Sequence, residues 1–138
     1  DIADMLGWQE LAQKVDSVYH TLPDKNQTLI LCDNYGQAGA INYYTSNKGL
    51  KAVSFNADYV NWFNLNTKIE NFIRVKEFKG SENELAETAP FFATAYAADS
   101  VTNSSAREYK TKIFVFTKPN IDINLRLKAE VERKKHFR

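Results

Sequence analysis

Thr28-Leu29-Ile30-Leu31-Cys32, followed by Asp33 and by Asn34-Tyr35-Gly36-Gln37-Ala38-Gly39-Ala40, is the stretch on which the reading of the fold turns. A short apolar run between polar turn residues reads as a strand buried on both faces, as in a parallel sheet. Asn34 is placed to cap a following helix, and Gln37 three residues later completes a capping-box pattern. Ala38, Ile41 and Tyr43 or Tyr44 would face the sheet. Gly49 is expected at a left-handed C′ position with Leu50 as its hydrophobic follow-on. Lys51-Ala52-Val53-Ser54-Phe55 then reads as a second strand. Strand, helix, strand over so few residues is a βαβ unit.

Upstream, Trp8, Leu11, Val15, Val18 and Leu22 recur at three- and four-residue spacing, which predicts a helix over 4–21 stopped by Pro23 and Asp24. Downstream, 56–66 reads as a loop with one helical turn and 69–78 as a strand. Ser81-Glu82-Asn83-Glu84 is a second capping-box pattern opening a helix that ends before Pro90. A strand over 91–98, a polar loop over 100–109, a strand at Ile113-Phe114-Val115-Phe116 and a final helix carrying Ile123, Leu125, Leu127, Val131 and Phe137 complete the chain. The alternation predicts an α/β fold: one domain over 1–138, a three-layer αβα (Rossmann-like) sandwich around a mainly parallel sheet of about 4–5 strands.

Composition narrows function by exclusion. With 138 residues, 43% hydrophobic and 25% charged, the chain has the make-up of a single folded domain. Lys and Arg number 18 against 17 Asp and Glu, which leaves no electrostatic footprint for nucleic acid. One cysteine, Cys32, excludes an internal disulfide, and it reads as a core thiol rather than a nucleophile. Two histidines, His20 and His136, have no zinc-ligand spacing, so neither a metal site nor a cofactor is expected. His20 reads as a favourable cation at a helix end, and Glu82, Glu84 and Glu87 as charges complementing a helix start.

Two places can contact a ligand. The strand-to-helix turn Asn34, Tyr35, Gly36, Gln37, Gly39 lies where α/β proteins bind ligands, although only Gly36 and Gly39 match a dinucleotide loop. The segment Asn56-Ala57-Asp58-Tyr59-Val60-Asn61-Trp62-Phe63-Asn64 interleaves aromatic rings with amides, as a sugar site requires. Both segments follow strand C-terminal ends, so Tyr35, Gln37, Asn56, Asn61 and Trp62 are expected to border one shallow groove. No catalytic triad or carboxylate pair is legible, and the chain reads as a binding module.

Asn34-Tyr35-Gly36-Gln37-Ala38-Gly39-Ala40-Ile41, with Gly49-Leu50, Ser54, Asn56, Tyr59 and Trp62, resembles the soluble C-terminal domain of bacterial integral-membrane glycosyltransferases. These belong to the dolichyl-phosphate-mannose-protein mannosyltransferase-like family, which includes aminoarabinose transferases acting on lipid A. Gly7-Trp8-Gln9-Glu10-Leu11 looks like the opening of that domain and Ala106-Arg107-Glu108 like its later part. Phe63, where the family has glycine, and the stretch 69–78 depart from the pattern. The resemblance implies a periplasmic domain of a bacterial inner-membrane protein, partnered by a transmembrane region of the same chain. That parent would move a sugar from a polyprenyl-phosphate donor to a protein or lipid acceptor. The family's catalytic acids lie in the membrane region, so the domain would be inactive alone, monomeric, and supportive of acceptor binding through a glycan, lipid headgroup or protein surface. A stand-alone nucleotide- or sugar-phosphate-binding α/β protein is the alternative.

Overall fold

The computed structural model describes residues 1–136, and Phe137 of the expected final helix lies outside them. The order is α1 (Ile2–Thr21), β1 (Thr28–Cys32), α2 (Tyr35–Tyr44), β2 (Ala52–Ser54), a 3₁₀ segment (Ala57–Trp62), β3 (Asn71–Lys76), α3 (Glu84–Thr88), β4 (Phe92–Ser100), β5 (Lys112–Pro119) and α4 (Ile123–His136). The class is α/β, as the alternation predicts. No helix of the described residues is long and apolar enough to cross a membrane.

The five strands form one sheet in the order β2-β1-β3-β5-β4. β1 pairs in parallel with β2 and with β3. β5 is antiparallel to both β3 and β4, so the sheet is mixed, parallel across β2-β1-β3 only, where a mainly parallel one is expected from sequence. The reason is connectivity. β4 and β5 are consecutive, hydrogen-bonded to each other, and joined by a loop too short in regular structure to carry a crossover.

Strand alternation sorts the apolar residues into two cores. Ile30, Cys32, Ala52, Ile73, Val75, Ile113 and Val115 face one side, where Leu11, Val15 and Val18 of α1 and Ala38 and Ile41 of α2 cover them. Leu29, Leu31, Val53, Phe72, Phe114 and Phe116 face the other, with Val60 and Ile123, Leu127 and Val131 of α4. Cys32 is buried, and burial pushes its thiol upward from its ordinary value, which suits a core residue.

Local expectations fare unevenly. Asn34 caps α2 by accepting the Gln37 N–H at 2.9 Å. Gln37 reaches back to the Asp33 N–H at 3.0 Å, one residue before the position a capping box would use. α2 ends at Thr45 in extended backbone, and Gly49 does not adopt a positive φ, so the expected left-handed stop is absent from that position. Tyr43 is exposed, leaving Ala38 and Ile41 as the sheet-facing residues of α2. Ser81 bonds back to the Phe78 carbonyl, and Asn83 precedes α3 without a side-chain cap.

Helix α1 is fastened to the β4–β5 loop. The Glu10 carboxylate accepts from Lys14 Nζ at 2.7 Å, from the Thr102 N–H at 2.8 Å and hydroxyl at 2.9 Å, and from the Asn103 N–H at 3.1 Å. Partial burial alone would raise this carboxyl; the donors outweigh it and hold it at about 2, below the ordinary 4.5. Three residues earlier, a Cβ on Gly7 would stand 2.4 Å from Ala106 Cβ, so α1 touches the loop backbone there only because residue 7 is glycine.

Two outcomes follow from this clasp. Because the folded carboxyl is depressed, Glu10 contributes stability that is complete above the ordinary carboxylate value and is lost as pH falls through about 2. Urea titrations should therefore show a wild-type advantage over Glu10→Gln, on the order of 2 kcal/mol at neutral pH, that shrinks as pH falls from 4.5 toward 2. Gly7→Ala should cost about 1–3 kcal/mol in the same assay through overpacking against Ala106, and Ala106→Gly in the same chain should recover part of the loss.

Candidate ligand cleft at the sheet switch point

The chain leaves β1 toward β2 on one side and returns to β3 on the other, so strand order reverses between β1 and β3. Ligands of open α/β sheets sit outside the strand C-terminal ends at this reversal. A cleft of about 630 Å³ occupies that place. Asn34, Tyr35 and Gly36 from the β1–α2 turn, Glu77 and Phe78 after β3, Trp8 of α1, and Glu108 and Tyr109 of the β4–β5 loop line it.

The walls are set by a buried polar chain. Gln37 is fully buried, with its carbonyl oxygen on the Asp33 N–H and its amide donating to Glu108 at 3.0 Å. The same Glu108 oxygen accepts from the Thr111 hydroxyl at 3.1 Å. These bonds fix the β4–β5 loop against the start of α2 and hold a carboxylate at the cleft floor. Gly36 keeps the other wall open: a Cβ there would stand 3.2 Å from Asn34 Oδ1 and 3.6 Å from the Trp8 ring. The Asn34 side chain donates to Glu77 while capping α2.

Charge beside the cleft is compensated in place. Asp33, at the end of β1, meets Arg74 at 2.7 Å and Lys76 at 3.2 Å, and takes the Glu77 N–H at 2.8 Å. Arg74 also donates to the carbonyls of Leu31 and Val75 and lies 3.5 Å from Glu84. Among the described residues, no group of three or more His, Cys, Asp or Glu side chains is arranged to hold a metal ion.

Tyr35, largely exposed, forms the shared wall of this cleft and of a lateral one of about 540 Å³ bordered by Asn42, Lys51, Asp58, Tyr59 and Trp62. Tyr35 and Trp62 thus do come to one cavity. The other residues expected there do not all join them. Gln37 is interior, Asn56 and Asn61 are exposed but outside the cleft walls, and Gly39 faces the Tyr59 hydroxyl, 3.5 Å from where its Cβ would be. The cause is the 3₁₀ segment, which carries the chain from the end of β2 back along its flank. Trp62 therefore sits over Lys51 Nζ, 4.3 Å from the ring centroid, beside the start of β2.

Sequence reading singles out neither Trp8 nor Glu108 as a site residue, though both stand in the segments quoted for the resemblance. Those three segments (Gly7 to Leu11, Asn34 to Ile41, and Ala106 to Glu108) meet around the switch-point cleft, through Gly7 on Ala106, Trp8 on Gly36 and Gln37 on Glu108. Comparison with known protein families, with curated proteins and with solved structures finds no match to this chain.

The two aromatic and amide elements can be separated experimentally. Trp62 is 50% exposed, so Trp62→Ala should cost about 1–3 kcal/mol, from the buried half of the ring beside Tyr59 and from the contact with Lys51. Gln37→Leu leaves the Asp33 N–H and Glu108 without the amide and should cost about 1–3 kcal/mol. Thermal melts of the two variants check both losses.

Proposed function

We propose that this chain is the non-catalytic, extracytoplasmic domain of a bacterial inner-membrane glycosyltransferase, and that its switch-point cleft engages the glycan portion of the acceptor. The fold reading that goes with it is a three-layer αβα, Rossmann-like sandwich, with α1 and α2 on one side and α4 on the other. The parent enzyme moves a sugar from a polyprenyl-phosphate donor to a protein or lipid, and the catalytic acids belong to its membrane region. One observation carries the reading: the three sequence segments that resemble this family converge on a single cleft.

The chemistry of the lining supports a neutral polyhydroxylated ligand. Trp8 and Tyr35 offer flat apolar faces, Phe78 and Tyr109 stand beside them with Lys110 Nζ over their rings, and Glu77, Glu108, Lys79 and Arg107 offer acceptors and donors for hydroxyl groups. The alternative, a nucleotide or sugar-phosphate site, fits less well. A phosphate at the start of α2 would face the Glu77 carboxylate, and the Gln37 N–H it would seek is taken by Asn34.

Titration of the isotope-labelled domain with neutral oligosaccharides, with inorganic phosphate and with nucleoside diphosphates tests this. The expected result is movement of the Trp8 indole and Gly36 amide resonances with saccharide alone, and no sugar transfer or glycoside hydrolysis by the domain. Selective response to phosphate or nucleotide overturns the reading in favour of the alternative; transfer by the domain alone overturns its non-catalytic part.

A further inference from the structure

The two edges of the sheet are treated differently. At the β2 edge, the Asn42 side chain donates to the Ala52 carbonyl at 2.9 Å and accepts the Ala52 N–H at 2.7 Å, occupying the outward backbone groups as a neighbouring strand would. At the other edge, β4 runs for nine residues, Phe92-Ala93-Thr94-Ala95-Tyr96-Ala97-Ala98-Asp99-Ser100, with no charge before Asp99 and no proline.

The phase of its hydrogen bonding can be read. The Lys118 N–H donates to the Glu70 carbonyl ahead of β3 at 2.8 Å and the Val101 N–H to the Thr111 carbonyl at 2.9 Å, while Thr94 stands opposite Thr117 and Tyr96 opposite Val115. Even-numbered residues of β5 therefore bond toward β3 and odd-numbered ones toward β4, so Thr94 and Tyr96 point their backbone groups at β5 and Ala93, Ala95 and Ala97 point theirs outward. The Phe92 N–H is taken by Ala89, but among the described residues no side chain meets the outward groups of Ala93, Ala95 or Ala97. A long, uncharged edge with unpaired backbone groups is a template for another strand.

We propose that β4 pairs antiparallel with β4 of a second copy of this chain, about a two-fold axis at Ala95, giving a dimer with one continuous ten-stranded sheet. This departs from the monomer expected of the fragment and is independent of the glycan reading. The register follows from the phase. Centring on Ala95 sets Ala95 opposite Ala95 and Ala93 opposite Ala97 of the second copy, so the outward N–H and C=O groups of each residue find a partner, and an isologous contact repeats them. It also uses the uncharged stretch up to the bulge between Ala97 and Asp99, with Thr94 opposite Tyr96. Beyond it, Asp99 falls beside Phe91 of the second copy, whose ring carries the Arg126 guanidinium 5.4 Å from its centroid. No like charges face each other within the paired stretch, and opposite charges meet at its ends.

Sedimentation equilibrium from about 1 to 200 μM tests the state of the 15.8 kDa chain. The expected result is a concentration-dependent rise to twice that mass. Ala95→Pro removes only an outward N–H, so it should preserve the melting temperature within a few degrees while weakening dimerisation at least tenfold. Ala95→Cys tests the register without relying on that variant. Two copies of residue 95 fall within disulfide reach and should cross-link under mild oxidation, whereas Ala93→Cys places its thiols about 13 Å apart along the strands and should not. Cys32, being buried, does not compete. A chain that stays monomeric over this range, a dimer indifferent to Ala95→Pro, or cross-linking of Ala93→Cys as fast as Ala95→Cys would each overturn the proposal.

Discussion

The clasp between α1 and the loops depends on carboxylates placed where backbone N–H groups would otherwise lack acceptors. Asp4 accepts from the Arg107 N–H at 2.7 Å, Glu10 from those of Thr102 and Asn103, and Asp16 from that of Ser46 at 2.9 Å. Buried or half-buried loop backbone must find partners, and a helix side chain is a rigid place to find them. Two of these carboxylates act on the β4–β5 loop, which has no regular structure of its own. They add to the loop's own backbone bonds, among them those between Val101, Lys110 and Thr111, in holding Ala106 against Gly7 and Glu108 within reach of Gln37. The cleft therefore depends on a helix that contributes only Trp8 to its wall.

This dependence explains what could be read in the residues and what could not. β1 and α2 were legible because their signals are local: an apolar run, a capping asparagine, small residues on a helix face. Glu10 and Asp16 give no such signal. On a helix surface they look like any solvated acid, and their partners lie 92 and 30 residues away in sequence, in two different loops. Gln37 reads as half of a capping box, and it does turn back toward the start of its helix, but its other end is set by Glu108, which periodicity cannot locate. The same limit hides strand direction. Ile113-Phe114-Val115-Phe116 is apolar on both faces whether it runs parallel or antiparallel, because both cores need it. Trp62 marks another limit: a helical turn in its segment was legible, but the course of that turn back along β2, which carries the ring to Lys51, was not.

Electrostatics around the end of β1 favour some ligands over others before any ligand arrives. Asp33 occupies the strand end that would face a phosphate, and it is matched by Arg74 and Lys76, which are matched in turn by Glu84. A cation engaged this way is not available to an incoming anion without breaking a partly buried pair, which is costly. The cleft beside them presents Glu77 and Glu108 together with Lys79 and Arg107, so charges of both signs border it. Within the glycan reading proposed above, the cations of the sheet itself are thus withheld from a phosphate, and those of the loops remain beside carboxylates.

Asn42 and β4 place two different solutions to one problem on one sheet. Any open sheet has two edges, and unpaired edge groups invite association. At β2, only three residues long, one asparagine side chain is sufficient to satisfy the outward groups of Ala52, and α2 carries that side chain to the edge as part of the βαβ unit. β4 is three times as long and lies at the end of a hairpin, with α3 in contact with it, Lys14 of α1 donating to the carbonyl of Ser100 at its end, and, among the described residues, no side chain on the outward groups of Ala93, Ala95 and Ala97. A single amide could not cover it. The lateral cleft adjoins the protected edge and the switch-point cleft lies nearer the centre, so pairing at β4 would leave both open. Strand order, with β2 and β4 at opposite ends, is what separates self-association from ligand access in this fold.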